Sequence, residues 1–181
     1  MHSTGENLGW YAVQVASRKE KQIASILSEK GYECFVPLYS KRSVWSDRNK
    51  ITSVPLFSGY VFTRFDVRTR LPLLVTPNVR AIVGYGNVPA AVPEEDLEAI
   101  RTALQNGLSI EPYDCLHEGE VVRVTKGPLA GIEGHFTRYR GSCRLILSVE
   151  LINRSVAVEL DRVCVEPVSQ HLYRSTHFGR N

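Results

Sequence analysis

The sequence predicts an α+β protein in which an antiparallel sheet flanked by helices precedes a small, separate β-barrel. Strands and two amphipathic helices alternate in the first part of the chain, whereas only short β-rich segments separated by glycines follow. We therefore expect an N-terminal domain at residues 8–106, a linker at 107–118, a barrel domain at 119–168 and a flexible tail at 169–181.

The first strand and the first helix are predicted by alternation and by end signals. Trp10–Val15 alternates and is rich in β-forming side chains, which favours a strand. Ser17 is a candidate N-cap, and Glu20 three positions later completes a capping-box pattern. Gly31 then supplies a helix stop. The apolar side chains that share one face of this helix are Ile23, Ile26 and Leu27.

A polar and basic segment at residues 40–53 predicts a hairpin arm that projects from the sheet. Strands are expected at 32–36, 55–65 and 79–83, where β-forming residues recur. A second helix is predicted over 93–107, because it opens with proline, carries three acidic residues in its first turn and ends at a glycine.

The segment 107–118 contains Gly107, Pro112 and mixed polar residues, which indicates a linker. Beyond it, short strands separated by glycine-rich turns are typical of a small closed barrel. The end of the chain has little hydrophobic content, which favours a loose tail. The predicted barrel strands are Val121–Val124, Glu133–Arg138, Arg144–Leu151, Val156–Leu160 and Val163–Val165.

Composition and charge narrow the class of protein. Hydrophobic residues make up 43% and charged residues 23% of the 181 residues, which is ordinary for a soluble globular protein. No stretch is long and apolar enough for a membrane span, and the N-terminus does not resemble a secretory signal, so we expect a cytoplasmic protein. We also expect a monomer. Residues 1–106 carry 13 Lys and Arg against 10 Asp and Glu, whereas residues 107–181 carry 9 of each. The mild basic bias of the first part suits a partner that carries phosphates or carboxylates.

The sequence offers no pattern for an enzyme, a metal site or a cofactor. The cysteines Cys34, Cys115, Cys143 and Cys164 lie too far apart in sequence for a C-x-x-C zinc pair, and we interpret them as small buried hydrophobes. The five histidines form no familiar metal-ligand spacing, and neither a nucleophile elbow nor a phosphate loop occurs. We therefore predict no catalytic residue, no metal and no cofactor.

The segment Gly119–Gly134 resembles the KOW motif, a strand–turn–strand unit of a small SH3-like barrel. Alternation predicts that Val122 and Val124 point into the barrel while Arg123 points out. Glycines at the bends allow tight backbone geometry there. Ribosomal proteins carry KOW motifs too, so this motif alone does not decide the family.

A second segment, Pro55–Phe62, together with Trp10-Tyr-x-Val13, resembles the N-terminal (NGN) domain of NusG-type factors. The family usually has proline where Ser58 stands. This domain followed by a KOW domain is similar to NusG-type transcription elongation and antitermination factors, over nearly the whole chain. Trp45–Arg48 and Leu147–Leu151 add a narrower resemblance to UpxY-like antiterminators, with RfaH a more distant relative.

This resemblance implies that the N-terminal domain binds RNA polymerase, whose clamp coiled coil enters an apolar depression lined by Trp10, Phe57 and Tyr60. Rigid aromatic rings give much contact area at little entropic cost. The alternative is that these rings are core. If Phe57 and Tyr60 shared one strand, their odd spacing would place them on opposite faces of the sheet, unless a turn at Ser58-Gly59 interrupts the alternation. We expect Phe62 in the core.

The resemblance also implies contact with the exposed non-template DNA strand near the start of the first helix, and the basic arm is a second candidate. The alternative for each charge is a solvated face, and Trp45 on the arm could instead pack back on the sheet. The candidate nucleic-acid-binding residues are Arg18, Lys19, Lys21, Lys41, Arg42, Trp45, Arg48 and Lys50.

For the barrel, the resemblance implies an adaptor that recruits a termination factor or a small-subunit ribosomal protein through Leu151, Ile152 and Arg154. The family commonly has Phe where Ile152 stands, and this departure argues against termination-factor binding but leaves the ribosomal link open. Alternatively, both Leu151 and Ile152 are core. Alternating β-branched residues at 144–149 and 156–158 predict a stable barrel that does not refold to inhibit the N-terminal domain. A helical form is the alternative, because packing can override propensity. The alternative function is a ribosome-associated KOW-type RNA-binding protein, which would need a more basic barrel.

Overall fold

The computed structural model describes residues 8–45, 48–114, 119–139, 141–160 and 165–168, with the backbone alone described at 42–45, 48–50 and 139. Within these ranges the predicted α+β class is confirmed, since an antiparallel sheet with helices is followed by a β-rich part. The predicted boundaries 8–106 and 119–168 stay predictions.

The N-terminal part alternates strands and helices. Its elements are β1 (Leu8–Val15), α1 (Glu20–Glu29), β2 (Glu33–Phe35), β3 (Leu38–Trp45), β4 (Arg48–Pro55), β5 (Tyr60–Asp66), a 3₁₀ helix (Val67–Thr69), α2 (Leu71–Leu74), β6 (Val79–Ile82), β7 (Gly84–Tyr85), β8 (Val88–Pro89), β9 (Ala91–Val92) and α3 (Glu94–Gln105).

The C-terminal part contains strands and one further 3₁₀ helix in the described ranges. Its elements are β10 (Ile110–Tyr113), β11 (Glu120–Val124), β12 (Glu133–Tyr139), β13 (Ser142–Val149), a 3₁₀ helix (Glu150–Ile152), β14 (Arg154–Leu160) and β15 (Val165–Pro167).

The main N-terminal sheet has the order β2-β5-β1-β6, and β9 also pairs with β1. All its pairs are antiparallel, with Val13 opposite Val61 at the centre. Alternate residues of β1 point to opposite sides of the sheet. Helix α1 packs on one side and α3 on the other. The buried residues on the α1 face are Tyr11, Val13, Val15, Ile23, Leu27, Val61, Phe65 and Leu73. Those on the α3 face include Trp10, Ala12, Phe62, Val92, Leu97, Ile100 and Ala103.

Only the C-terminal end of α1 was predicted correctly. Gly31 follows the helix with φ of +89°, and the amide of Tyr32 donates to the carbonyl of Leu27, as a glycine C-cap requires. The prediction of Ser17 as the N-cap is wrong. The helix begins at Glu20 without a side-chain cap, because Arg18 has a left-handed backbone with φ of 67° and so interrupts the expected first turn.

The predicted arm is confirmed as the hairpin of β3 and β4, which forms a two-stranded sheet of its own. Its register runs from Leu38 opposite Pro55 to Trp45 opposite Arg48. The Leu56 amide, just after β4, donates to the Pro37 carbonyl, just before β3, at 2.8 Å and closes the base of the arm.

The C-terminal strands form one antiparallel sheet with the order β10-β14-β13-β12-β11-β15. The inward and outward alternation predicted for β11 is confirmed, because Val122 and Val124 are buried and Arg123 is exposed. The last strand is found at Val165–Pro167, while residues 161–164 and the predicted tail 169–181 lie outside the described residues.

The predicted linker 107–118 is not wholly a linker. Its residues 110–113 form β10, which pairs with β14 at the edge of the C-terminal sheet. Pro112 fits there because an edge strand has one side without a pairing partner, where a missing N–H costs little. Residues 115–118 lie outside the described residues.

The two parts of the chain share one apolar cluster. Helix α3 packs against β13, and the cluster joins Phe57 and Ile100 of the N-terminal part with Leu145 and Val149 of the C-terminal sheet. The strands predicted at 144–149 and 156–158 are confirmed as β13 and β14. The two parts of the chain are therefore in packed contact.

Candidate functional site

Two of the three predicted polymerase-binding aromatics belong to the core. Trp10 is 3% exposed and Phe57 2% exposed, whereas Tyr60 is half-buried and packs against the same cluster. The Trp10 indole N–H donates to a carboxylate oxygen of Glu94 at 3.4 Å, and the Arg101 guanidinium lies 5.5 Å from its ring centroid. These contacts fasten β1 to α3, so neither buried ring is a contact surface in this arrangement.

The turn that precedes β5 resolves the parity question. Phe57 lies outside the strand, and the Tyr60 amide donates to the Phe57 carbonyl across the turn at 3.2 Å. As a result Phe57 stacks edge-on against Phe62, with ring centroids 5.6 Å apart. Phe62 is fully buried, as predicted. The turn therefore places Tyr60, rather than Phe57, nearest to solvent.

The basic start of α1, which we define as Arg18, Lys19 and Lys21, is exposed. The Lys19 ammonium donates to the side-chain oxygen of Gln22 within the same helix at 3.2 Å. The Lys21 ammonium donates to the backbone carbonyl of Ser53 on the arm at 2.8 Å. This bond joins two regions that the sequence presents as separate nucleic-acid candidates.

The arm brings its own predicted residues into one paired ribbon. Lys41 is exposed on β3, opposite Thr52 of β4. The side chains of the other predicted arm residues lie outside the described part of the structure, which gives only their positions on the strands. Those residues are Arg42, Trp45, Arg48 and Lys50.

The carboxylate of Glu20 connects the basic start of α1 to the turn before β5. Glu20 is 2% exposed, and its Oε1 accepts hydrogen bonds from the amides of Gly59 at 2.7 Å and of Arg18 at 3.2 Å. We call this arrangement the Glu20 latch. The sequence motif suggested instead that Glu20 belongs to a capping box, and no local signal pointed to Gly59.

The predicted adaptor residues follow β13. Leu151 is half-buried and Arg154 is exposed, but Ile152 is only 6% exposed and belongs to the cluster shared by both parts of the chain. Asn153 has a left-handed backbone with φ of 52°, which turns the chain back into β14. The expected exposed apolar edge is therefore reduced to Leu151 with its neighbour Arg154.

A cleft of about 810 Å³ lies between α3 and the C-terminal sheet. Asp96 of α3 and Glu150 of the C-terminal part both line it, together with Arg123. Burial, and then the nearby carboxylates of Glu95 and Glu150, raise the pKa of Asp96 from 3.8 to about 6. The cleft thus gathers carboxylates that repel one another when all are ionised.

No side-chain group in the described part of the chain suggests metal or disulfide chemistry. Within those residues, no set of three or more His, Cys, Asp or Glu side chains is placed to hold a metal ion. Cys34 and Cys143 are free and half-buried, and burial raises the pKa of the Cys34 thiol. Cys115 and Cys164 lie outside the described residues. None of the helices described here is long and apolar enough to cross a membrane.

Comparison with known proteins agrees with this architecture. The structure described as "Domain interaction in Thermotoga maritima NusG" aligns with a TM-score of 0.55 and 18% identity, over 89% of this chain and 97% of that chain. This likeness supports the fold alone.

Sequence comparison gives the family. The family model for "Transcription termination factor nusG" matches residues 8–101, which is more than half of the chain. The transcription termination/antitermination protein NusG of Campylobacter jejuni is 29% identical over 165 residues, covering 83% of this chain and 92% of that protein. Its namesake in Escherichia coli K12 is 30% identical over 172 residues, covering 87% and 94%. The chain belongs to the NusG family.

Proposed function

We propose that this chain is a transcription elongation and antitermination factor that binds RNA polymerase through its N-terminal domain and suppresses pausing or termination. The observation that carries the proposal is the family match over residues 8–101, which include the whole N-terminal sheet and the turn before β5. Curated relatives matched over most of their length are named transcription termination/antitermination proteins.

Tyr60 is the residue through which we expect the N-terminal domain to contact the polymerase clamp. Tyr60 is half-buried and packs against the α3-face cluster, which contains the edge-on pair of Phe57 and Phe62. The backbone on either side is fixed by hydrogen bonds, so little conformational entropy remains to be lost on binding. A partly exposed aromatic ring on a rigid base has the properties of an interface hot spot.

The basic start of α1 and the arm are the surfaces we expect to face nucleic acid. Arg18, Lys19, Lys21 and Lys41 are exposed, and the bond from Lys21 to Ser53 holds the helix and the arm side by side. Several cations along one surface suit the phosphates of an exposed single strand, such as the non-template DNA strand in a transcription bubble.

The C-terminal part is expected to act as an adaptor. We propose that its six-stranded sheet is an SH3-like KOW barrel and that Leu151 and Arg154 contact a small-subunit ribosomal protein or a termination factor. Ile152 supports this edge from the core rather than touching the partner, because it is buried. Because of the narrower resemblance to UpxY-like and RfaH-like factors, we also propose that the chain acts on particular operons.

The test is a titration of core RNA polymerase with the full chain and two single variants. Tyr60→Ala should weaken binding about tenfold, which corresponds to roughly 1.4 kcal/mol. Tyr85→Ala is the matched control, because Tyr85 is a tyrosine that is 79% exposed and lies on a different strand, β7. It should bind like the wild type.

Two results would contradict the proposal. If the folded wild-type chain binds no polymerase but associates with ribosomes, the alternative of a ribosome-associated KOW protein replaces it. If the wild type binds and both tyrosine variants bind equally well, the polymerase contact lies elsewhere on the N-terminal domain.

A further inference from the structure

We propose that Glu20 is a positioning residue. It holds the turn before Tyr60 and the basic start of α1 in one fixed arrangement, so that the chain can bind RNA polymerase and nucleic acid at the same time. This inference rests on the proposed function, because it concerns the same two surfaces. It assigns a role to a buried carboxylate that has no place in either predicted surface.

The Glu20 latch joins residues far apart in sequence. One oxygen, Oε1, accepts from the Gly59 amide at 2.7 Å and from the Arg18 amide at 3.2 Å. Glu20 is 2% exposed, and Gly59 is buried. A buried carboxylate is stable only when its charge meets hydrogen-bond donors, and here two backbone amides supply them.

Gly59 is held through both of its backbone polar groups. Its amide donates to Glu20, and its carbonyl accepts from the Val15 amide of β1 at 2.8 Å. Gly59 has φ of +85°, a conformation that strains any residue with a Cβ atom. Gly59 immediately precedes Tyr60, so the latch sets the position of the ring that we expect to contact the polymerase.

The other end of the latch supports an unusual backbone. Arg18 adopts φ of 67°, which non-glycine residues rarely do and which often marks functional sites. Its amide is held by Glu20, while its side chain is exposed and makes no hydrogen bond or ion pair within the described residues. The guanidinium is therefore available for a ligand that carries phosphates.

The chemistry of the latch predicts which replacements work. Glutamine keeps a side-chain oxygen at the same reach, so it can still accept from both amides. Alanine removes the acceptor and leaves the Gly59 amide buried without a partner. Both the turn and the basic start of α1 then lose their common support.

The experiment uses the full chain, core RNA polymerase and an elongation complex with a photo-crosslinking nucleotide in the single-stranded non-template DNA. Polymerase affinity and the yield of the DNA crosslink are measured for the wild type, Glu20→Ala and Glu20→Gln. Hydrogen exchange at the Gly59 amide reports on the latch itself. Arg18→Gly is included because it removes the exposed cation but keeps the amide that Glu20 binds.

Two matched controls separate positioning from stability. Glu29→Ala removes an exposed carboxylate from the other end of the same helix. Leu27→Ala destabilises the buried face of α1 without touching the latch, and it is assayed at a temperature where it remains folded. Both controls should keep the wild-type affinity and crosslink.

We expect Glu20→Ala to lose Gly59 protection and to weaken both polymerase binding and crosslinking about tenfold, because the surfaces must then be ordered on binding. Glu20→Gln should stay within about twofold of wild type, since both hydrogen bonds persist. Arg18→Gly should lower the crosslink alone. If Glu20→Ala does not fold, Glu20→Asp takes its place, because it keeps the charge but shortens its reach by one methylene.

A folded Glu20→Ala chain with wild-type affinity and crosslink would overturn the inference, and so would a loss that Leu27→Ala reproduces. If the wild type itself does not bind polymerase, that result contradicts the proposed function and, with it, this inference. The behaviour of the wild type thus distinguishes the two failures.

Discussion

Helices α1 and α3 cover opposite faces of one sheet, and each carries a carboxylate in its first turn that is withdrawn from solvent to a different degree. Glu20 of α1 is fully buried and accepts from two backbone amides. Asp96 of α3 is half-buried near Glu95 and Glu150, and its pKa is raised to about 6. Carboxylates in the first turns of two helices thus stabilise one contact and weaken another, depending on which groups distant segments place beside them.

This difference separates the roles of the two helices. The start of α1 combines the latch with exposed cations, which suits contact with nucleic acid, and the latch ties this region to the turn before Tyr60. Helix α3 packs against the C-terminal sheet, with carboxylates gathered in the cleft between them. The first region is locally fixed, whereas the second contains a repulsion that depends on pH.

The largest effect is expected when the latch is removed. Glu20→Ala should lower the free energy of unfolding by about 2–4 kcal/mol, because two amides lose a charged acceptor. Glu20→Gln should cost about 1 kcal/mol or less, since a neutral oxygen still accepts. Urea denaturation followed by circular dichroism measures both values. Equal losses in the two variants would mean that the charge, not the acceptor geometry, stabilises this corner.

The carboxylate of Asp96 should affect stability in the opposite direction to that of Glu20. The pKa of Asp96 in the folded chain lies above its ordinary value of 3.8, so its contribution to stability is present at low pH and is lost as pH rises through about 6. Asp96→Asn should therefore lessen the fall in stability between about pH 4 and about pH 7. The difference should be about 1 kcal/mol or less, because solvent screens a half-exposed carboxyl.

Thermal unfolding at several pH values tests this prediction. Glu98→Gln serves as the control, because Glu98 is an exposed carboxyl on the same helix. If Asp96→Asn and Glu98→Gln show the same pH dependence as the wild type, the carboxylates of the cleft do not govern the packing of α3.

The smallest effect concerns the left-handed backbone beside the latch. Arg18→Gly should stabilise the chain by about 0.5 kcal/mol, because glycine accepts this conformation without strain although it gains freedom when unfolded. Lys19→Gly, at the neighbouring exposed position, should not stabilise. A loss of stability in Arg18→Gly would show that the Arg18 side chain makes contacts that matter to the fold.

Much of the fold could be predicted because its signals are local. The apolar stripes of α1 and α3, the glycine after α1 and the alternation of β11 each lie within a few neighbouring residues. The arm was recognisable because its composition differs from that of the strands around it. By contrast, β10 was missed, because Pro112 and mixed polarity conceal an edge strand that only its pairing with β14 reveals.

The candidate site was harder to predict because burial is decided by distant segments. Trp10 and Phe57 are aromatic in a motif that suggests contact with a partner, yet α3 and Phe62 enclose them. Ile152 is buried by the cluster that both parts of the chain share. The latch depends on Gly59 approaching Glu20 from 39 residues away, which no spacing rule in the sequence contains.

The most direct test of the proposed function is transcription by purified RNA polymerase on a template with one strong pause and one terminator, with and without the full chain. We expect the wild type to shorten the pause or to increase read-through, Tyr85→Ala to act like the wild type, and Tyr60→Ala to lose most of the effect. If saturating wild-type chain, shown to be folded, changes neither pausing nor termination, the proposed role in elongation is contradicted.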